Sequence, residues 1–170
     1  MRYDDDVLKF AFELPDGWEV APESRPPNAK FRSAAGTIEV LAATLGEWHQ
    51  SADPFVRYHA MAAKGLLCSI DGSLGDETSN VISFRNNQRL QGLSVVRDGI
   101  HYEIAWSQNS ADAMRIAIDQ LRSSFMFPAP DMARCRIEEV NNLTPEQRWF
   151  AEQHGLEATR DALEIGRAHV

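Results

Sequence analysis

The chain has 170 residues, a length that fits one domain with a short appendage. Apolar residues make up 44% and charged residues 25%, so the composition is that of a globular protein rather than of a disordered or fibrous one. The 25 Asp and Glu residues outnumber the 17 Lys and Arg residues, and the net charge of −8 argues against a protein held to nucleic acid by phosphate contacts.

The first part of the chain is predicted to form four strands. Apolar and polar residues alternate through Leu8–Leu14, the pattern of a strand with one buried face. Turn residues at Pro15-Asp16-Gly17 end this strand. Shorter apolar segments, divided by a proline-containing loop and a turn, predict the other strands at Trp18–Val20, Lys30–Ser33 and Thr37–Leu45.

A helix is predicted after these strands. Asp53 suits the N-cap and Pro54 the first helical position, so the helix should begin here and run to about Leu67. Four of its residues recur at helical spacing and form an apolar stripe: Phe55, Tyr58, Ala62 and Leu66. A polar loop is expected at 69–79.

The next part of the chain predicts three strands and a second helix. The strands are expected at Asn80–Arg85, Gln88–Arg97 and Ile100–Ser107. Asp98-Gly99 lies between two apolar runs and predicts a two-residue hairpin, the tightest connection in the chain. Ser110 suits the N-cap of a helix near Ala111–Arg122. Its apolar stripe consists of Met114, Ala117, Ile118 and Leu121.

This order of elements predicts the fold class. Because short turns join strands that are neighbours in sequence, the sheet should be mostly antiparallel. We therefore expect an α+β protein in which a mostly antiparallel sheet of about six to seven strands is covered by two helices, with a C-terminal helical appendage.

The chain beyond the sheet domain is predicted to form a linker followed by a helical appendage. Pro128 and Pro130 interrupt it, and a capping box at Thr144–Gln147 starts a helix. The string 164–170 resembles translated sequencing adapter, so the native chain is expected to continue past Leu163. The predicted division is a domain at 1–128, a linker at 129–143, a helical appendage at 144–163 and an artefactual tail at 164–170.

The cellular compartment is predicted from the cysteine count, the residues near the N-terminus and the apolar stretches. Cys68 and Cys135 are too few for a disulfide framework, so reduced thiols are expected, although one disulfide remains open. Asp4-Asp5-Asp6 near the start does not fit a signal peptide, and we expect it to be a solvated acidic arm. No apolar stretch approaches the ~18 residues of a membrane helix. A cytoplasmic protein without a membrane span is expected.

No residue constellation predicts catalysis. His49, His59, His101 and His154 include no His-x-x-x-His pair, so no metal site is expected. His59 should be a packed or surface residue, and His101 should be solvated because it points away from the apolar side of its strand. Cys68 ends an apolar segment and should behave as a small hydrophobic residue. The sequence therefore predicts no catalytic, cofactor-binding or metal-binding residues.

The tryptophans are the remaining candidates for a binding surface. Trp48 lies between a predicted strand and a predicted helix, and it is a weak candidate for contact with a partner, with core packing as the alternative. Trp106 and Phe125 are expected in the core. Acidic residues outnumber basic ones beyond Ala129, which disfavours DNA binding by the helices at 145–163.

The order of elements over residues 7–127 resembles the PsbP/DcrB-like superfamily. The resemblance rests on the opening strand ending in Leu14-Pro15-Asp16-Gly17-Trp18, the central helix, the late hairpin and the closing helix that leads into Ser124-Phe125. Members are small binding or assembly modules that share no catalytic residues, so the resemblance implies no site residues. By elimination, the nearest analogues are the cytoplasmic chaperones associated with type VI secretion effectors.

Two hypotheses for function follow. In the first, the protein is a non-enzymatic cytoplasmic protein-binding module, chaperone- or adaptor-like, that presents an apolar sheet face or groove to a polypeptide partner. It would use no cofactor and bind no nucleic acid, and a homodimer remains open. In the second, the chain is a fragment of an enzyme of unknown class whose catalytic part lies in a missing C-terminal region.

Overall fold

The structure is a computed structural model that describes residues 1–45, 51–86 and 90–154. Its strands are β1 (Arg2–Asp4), β2 (Ala11–Glu13), β3 (Glu19–Val20), β4 (Ala29–Ser33), β5 (Gly36–Thr44), β6 (Leu67–Ser69), β7 (Ile82–Arg85), β8 (Leu90–Arg97) and β9 (Ile100–Gln108). Its helices over these residues are α1 (Pro54–Ala63), α2 (Ala111–Ser124), α3 (Pro130–Asn141) and α4 (Pro145–His154).

Seven of the strands form one antiparallel sheet in the order β3-β4-β5-β9-β8-β7-β6, and β1 and β2 form a separate two-stranded ribbon. Together with the helices, this arrangement confirms the predicted α+β class. It also places β6 and β3 at the two ends of the described sheet, a point that matters for the site below.

The predicted hairpin between β8 and β9 is confirmed. Arg97 lies opposite Ile100, so only Asp98 and Gly99 connect the two strands. Both have positive φ, 51° and 82°, as a type I′ turn requires. The connection is not uniquely tight, because the β4–β5 turn also has two residues, with Ser33 opposite Gly36.

One face of the sheet carries the core. Ile104 lies opposite Leu93 on β8 and opposite Val40 on β5, and all three are buried. The predicted stripe of α2 packs on this face, and its members Met114, Ala117, Ile118 and Leu121 are buried in the same cluster. Aromatic rings fill the centre of this layer: Phe10, Phe12, Tyr102 and Phe125.

The prediction of a solvated acidic arm holds for the side chains of Asp4 and Asp6, which are exposed, but was wrong for Asp5, which is buried. Residues Arg2–Asp4 pair with β2, which is shorter than the predicted strand. The buried Asp5 carboxylate accepts hydrogen bonds from the backbone N–H groups of Val7 and Leu8 and from the Tyr3 hydroxyl, at 3.1, 2.6 and 3.0 Å. A charge that caps a turn in this way can be buried, which a count of acidic residues does not reveal.

The segment predicted as a linker, 129–143, contains the helix α3. Arg136 donates hydrogen bonds to the carbonyl oxygens of Asp6 and Val7, and it is buried with Ala133 and Val140. Pro130, taken as a chain break, occupies the first turn of this helix, where a missing N–H costs nothing.

The appendage begins as predicted. At the start of α4, the Thr144 hydroxyl accepts from the Gln147 N–H and the Gln147 side chain accepts from the Thr144 N–H, which is the expected capping box. The expectations for 164–170 and for the end of the appendage lie outside the described residues. No helix in the described part of the chain is long and apolar enough to cross a membrane.

Candidate functional site

The apolar stripe of α1 does not join the core. Phe55 is 65% exposed, Ala62 is exposed, and Tyr58 and Leu66 are half-buried. The one buried residue of α1 is Arg57. A stripe of this kind normally packs against the rest of the domain, so its exposure marks this helix as the unusual element of the fold.

Arg57 explains how α1 is held without its apolar stripe. Its guanidinium donates to the backbone carbonyls of Ala52, Asn80 and Ser94, at 3.2, 3.1 and 3.4 Å. Ser94 lies on β8, so these bonds fix α1 on the face of the sheet opposite α2. Because these polar contacts hold α1 in place, its apolar residues are not needed to attach the helix to the sheet.

Leu67, which was predicted to end the helix, belongs to a strand instead. The helix ends at Ala63, and Leu67–Ser69 forms β6, which pairs with β7 and terminates the described sheet. Tight turns and short edge strands carry weak sequence signals, and the apolar run at Leu66-Leu67 fits either helix or strand.

A groove of about 660 Å³ lies beside this edge. On one side, α1 contributes Tyr58 and Ala62 and the connection after it contributes Leu66, and Phe84 and Gly92 line the groove from the sheet. Residue 92 must be small here, because a Cβ atom would lie 2.2 Å from the Phe84 ring. The other lining residues are Leu67, Cys68, Ser69, Ser83, Arg85, Gln91, Leu93, Trp106 and Arg122.

Strand register shows that the groove lining comes from both faces of the sheet. Arg85 lies opposite Gln91 and so shares the α2 face with Trp106. Phe84 lies opposite Gly92 and so shares the α1 face. The groove therefore follows the β6 edge, with the α1 stripe on one side and the arginine-bearing α2 face on the other.

The charged side chains described in the groove lining are both positive. Among the described residues its lining includes Arg85 and Arg122 but no carboxylate. Arg122 donates from Nε to the Ser73 carbonyl oxygen at 2.9 Å. Arg85 is exposed and forms no ion pair within the described part of the chain.

His101 is buried, and the prediction that it is solvated was wrong. Its Nε2 lies 2.8 Å from the Ser94 hydroxyl, and both side chains are under 5% exposed. Burial, together with the nearby Arg57 charge, lowers the pKa of His101 to about 4. Sequence alternation failed here because both His101 and its neighbour Tyr102, on opposite faces of β9, are buried, whereas alternation predicts one buried face. Since no substrate can reach the pair, we assign it a structural role.

The other predicted residues do not assemble into a site. His59 is exposed on α1 with its ring against Tyr58, in line with the prediction. Trp48 and His49 lie outside the described residues, and the side chain of His154 is not described either. No group of three or more potential metal ligands occurs in the part of the chain that the structure describes.

The cysteines and tryptophans have mixed outcomes. Cys68 and Cys135 are separate thiols, and burial raises the pKa of Cys68. Phe125 is in the core as expected, whereas Trp106 is only partly buried and lines the groove. Trp149 on α4 is 63% exposed.

Sequence analysis missed the residues that define the groove. Arg57, Arg85 and Arg122 belong to no motif, and their roles depend on which elements lie beside them. The one available signal was the apolar stripe of α1, and its spacing indicates an apolar face without showing what covers that face.

The fold and the groove define an α+β protein with an open apolar groove at one sheet edge. The solution structure of cyanobacterial PsbP (CyanoP) from Synechocystis sp. PCC 6803 is similar, with a TM-score of 0.44 and 15% sequence identity, covering 75% of this chain and 92% of that chain. No family model and no curated protein matches the chain. This likeness agrees with the loose PsbP-like resemblance predicted from the sequence, while membership of the superfamily and the chaperone analogue stay predictions.

Proposed function

We propose that this chain is a non-enzymatic cytoplasmic protein-binding module, chaperone- or adaptor-like, that holds a polypeptide in the groove between α1 and the β6 edge. The observation that carries the proposal is the α1 stripe. Tyr58 and Ala62 of α1 line an open groove, although residues with this spacing usually face a core, and Leu66, in the connection after the helix, lines it beside them. Covering them with a partner would remove apolar surface from water and so favour association.

The edge strand supports a polypeptide as the ligand. β6 pairs with β7 on one side and has no described strand on the other. An edge strand presents backbone N–H and C=O groups that an extended peptide can pair with. Apolar surface and backbone hydrogen-bonding groups side by side suit a peptide better than a small apolar ligand.

The alternative of an enzyme fragment has less support in these residues. The contact between Ser94 and His101 has the hydrogen-bond distance of a nucleophile and its base. Both side chains are buried, however, and the lowered pKa of His101 leaves it a weak base. Nothing in the groove pairs a nucleophile with a histidine.

Affinity capture with two neighbouring variants tests the proposal. Ala62 and Ala63 are both exposed at the end of α1, but only Ala62 lines the groove. Ala62→Glu places a charge in the groove and should abolish capture of proteins from the native cell lysate. Ala63→Glu adds the same charge one residue further along α1 and outside the groove lining, so it should capture the same proteins as the wild type.

Two outcomes would count against the proposal. One is equal capture by the Ala62→Glu variant and the wild type, because the groove would then be irrelevant to binding. The other is capture that nuclease treatment abolishes, because the ligand would then be a nucleic acid. Circular dichroism of both variants checks that the fold is retained.

A further inference from the structure

Resting on the proposed function, we propose the chemistry of the groove's occupant. It is an extended polypeptide segment in which acidic and apolar residues alternate, and it adds to the outer edge of β6 as a further strand. Its apolar side chains lie against the α1 stripe, and its carboxylates face Arg85 and Arg122.

The position of β6 sets the backbone conformation of the occupant. β6 terminates the described sheet, and in an antiparallel ladder alternate backbone groups of an edge strand point outward. Leu67–Ser69 contains no proline, so each residue keeps its N–H donor. An occupant that satisfies these groups must be extended, and its side chains then alternate between the two faces of the sheet.

The register of β6 decides what each face offers. Leu67 lies opposite Arg85, so this side of the edge belongs to the α2 face, where Arg122 also lies. Cys68 lies opposite Phe84, so the other side belongs to the α1 face, where the apolar stripe lies. A strand added here meets Arg85, Arg122 and the exposed Leu67 on one face and only uncharged side chains, those of α1 among them, on the other.

Charge complementarity then selects the polar residues of the occupant. The whole chain carries a net charge of −8, yet the described groove lining holds two arginines and no carboxylate. Arginine guanidinium groups bind carboxylates in paired hydrogen bonds. A segment with lysines in the same positions would place like charges beside Arg85 and Arg122.

Synthetic peptides test this directly. Three fluorescein-labelled peptides of about ten residues, the length of a long strand, share leucine and valine at every second position. They differ at the remaining positions, which are all glutamate, all glutamine or all lysine. Fluorescence anisotropy with the full chain should show the glutamate peptide binding about tenfold more tightly than the glutamine peptide, a difference of about 1.4 kcal/mol. The lysine peptide should bind most weakly.

Charge variants locate the contact. Arg85→Gln should weaken binding of the glutamate peptide about fivefold or more and leave the glutamine peptide unchanged. Arg134→Gln makes the same change in net charge on the exposed side of α3, outside the groove, and should have no effect. Ala62→Glu should weaken binding of both peptides.

The outcomes separate this inference from the proposed function. If the glutamine peptide binds as tightly as the glutamate peptide and Ala62→Glu abolishes both, the groove holds polypeptides but the acidic occupant is wrong. If bound peptide is helical by circular dichroism, strand addition is wrong. If the chain forms a dimer that Ala62→Glu dissociates, the occupant is a second copy. If no peptide binds, the inference fails, and the lysate capture decides the proposed function alone.

Discussion

At the scale of single residues, two buried titratable groups shape the response to pH in opposite directions. Burial raises the pKa of Asp5 to about 6, even though three hydrogen bonds favour its charged form. Burial and the charge of Arg57 lower the pKa of His101 to about 4. Asp5 therefore loses its stabilising contribution as the pH rises, and His101 loses its own as the pH falls.

We predict that His101→Gln removes an acid-sensitive contribution to stability. In the unfolded chain His101 takes up a proton near pH 6.5, but in the folded chain only near pH 4. Acidification between these values therefore favours the unfolded state by up to about 3 kcal/mol. The variant's stability relative to the wild type should rise by about that amount from pH 7 to pH 4. Urea unfolding across this range measures it.

Asp5→Asn should show the opposite pH dependence of stability and so serves as the control for this prediction. Its stability relative to the wild type should rise in the other direction, from pH 4 to pH 7, because it removes the cost of ionising a buried carboxyl. If the stability of His101→Gln relative to the wild type were independent of pH, His101 would be solvent-accessible in solution and its assigned role would be wrong.

At the scale of elements, α3 and α1 show two ways of attaching a helix to one sheet. α3 buries Ala133 and Val140, and Arg136 ties it to the turn around Asp5. α1 is fixed by Arg57 and keeps its apolar stripe outside the core. The first attachment adds to the core, and the second leaves apolar side chains exposed.

We predict that Arg136→Met detaches α3 in part. The substitution keeps an apolar stem but leaves the carbonyl oxygens of Asp6 and Val7 without their donor. The expected loss of stability is about 2 to 3 kcal/mol, measured by urea unfolding. Arg134→Met, two residues away and largely exposed, should change stability by less than about 0.5 kcal/mol. Equal effects of the two substitutions would show that α3 is not docked through Arg136.

At the scale of the whole molecule, we propose that the folded unit includes α3 rather than ending at residue 128. Val140 belongs to the main hydrophobic cluster, and the Thr44 hydroxyl at the end of β5 donates a hydrogen bond to the Asn141 side chain at 3.2 Å. These contacts connect the end of α3 to the central sheet. A chain that stops before them exposes part of its core.

Two truncations test this boundary. A chain ending at residue 143 should unfold in one transition with a melting temperature close to that of the full chain. A chain ending at residue 128 should melt about 10 °C or more lower, because it loses several kcal/mol of buried contacts. Differential scanning calorimetry on both chains makes the comparison, and equal melting temperatures would restore the boundary at 128.

The sequence by itself determined the elements whose signals are local. The Asp98-Gly99 turn, the cap and stripe of α2 and the capping box of α4 depend on residues within a few positions of one another, and each is present in the structure. From such elements and their order, the α+β class and the antiparallel sheet could be predicted.

Only the tertiary structure decided which faces are covered. Burial depends on neighbours distant in sequence, so His101, which alternation assigned to solvent, is buried in the folded chain. For the same reason, the apolar stripe of α1 came to line a groove, and a supposed linker became a core helix through Arg136. Hydrophobic spacing shows that a face is apolar, whereas what packs on that face is fixed by contacts that only the folded chain creates.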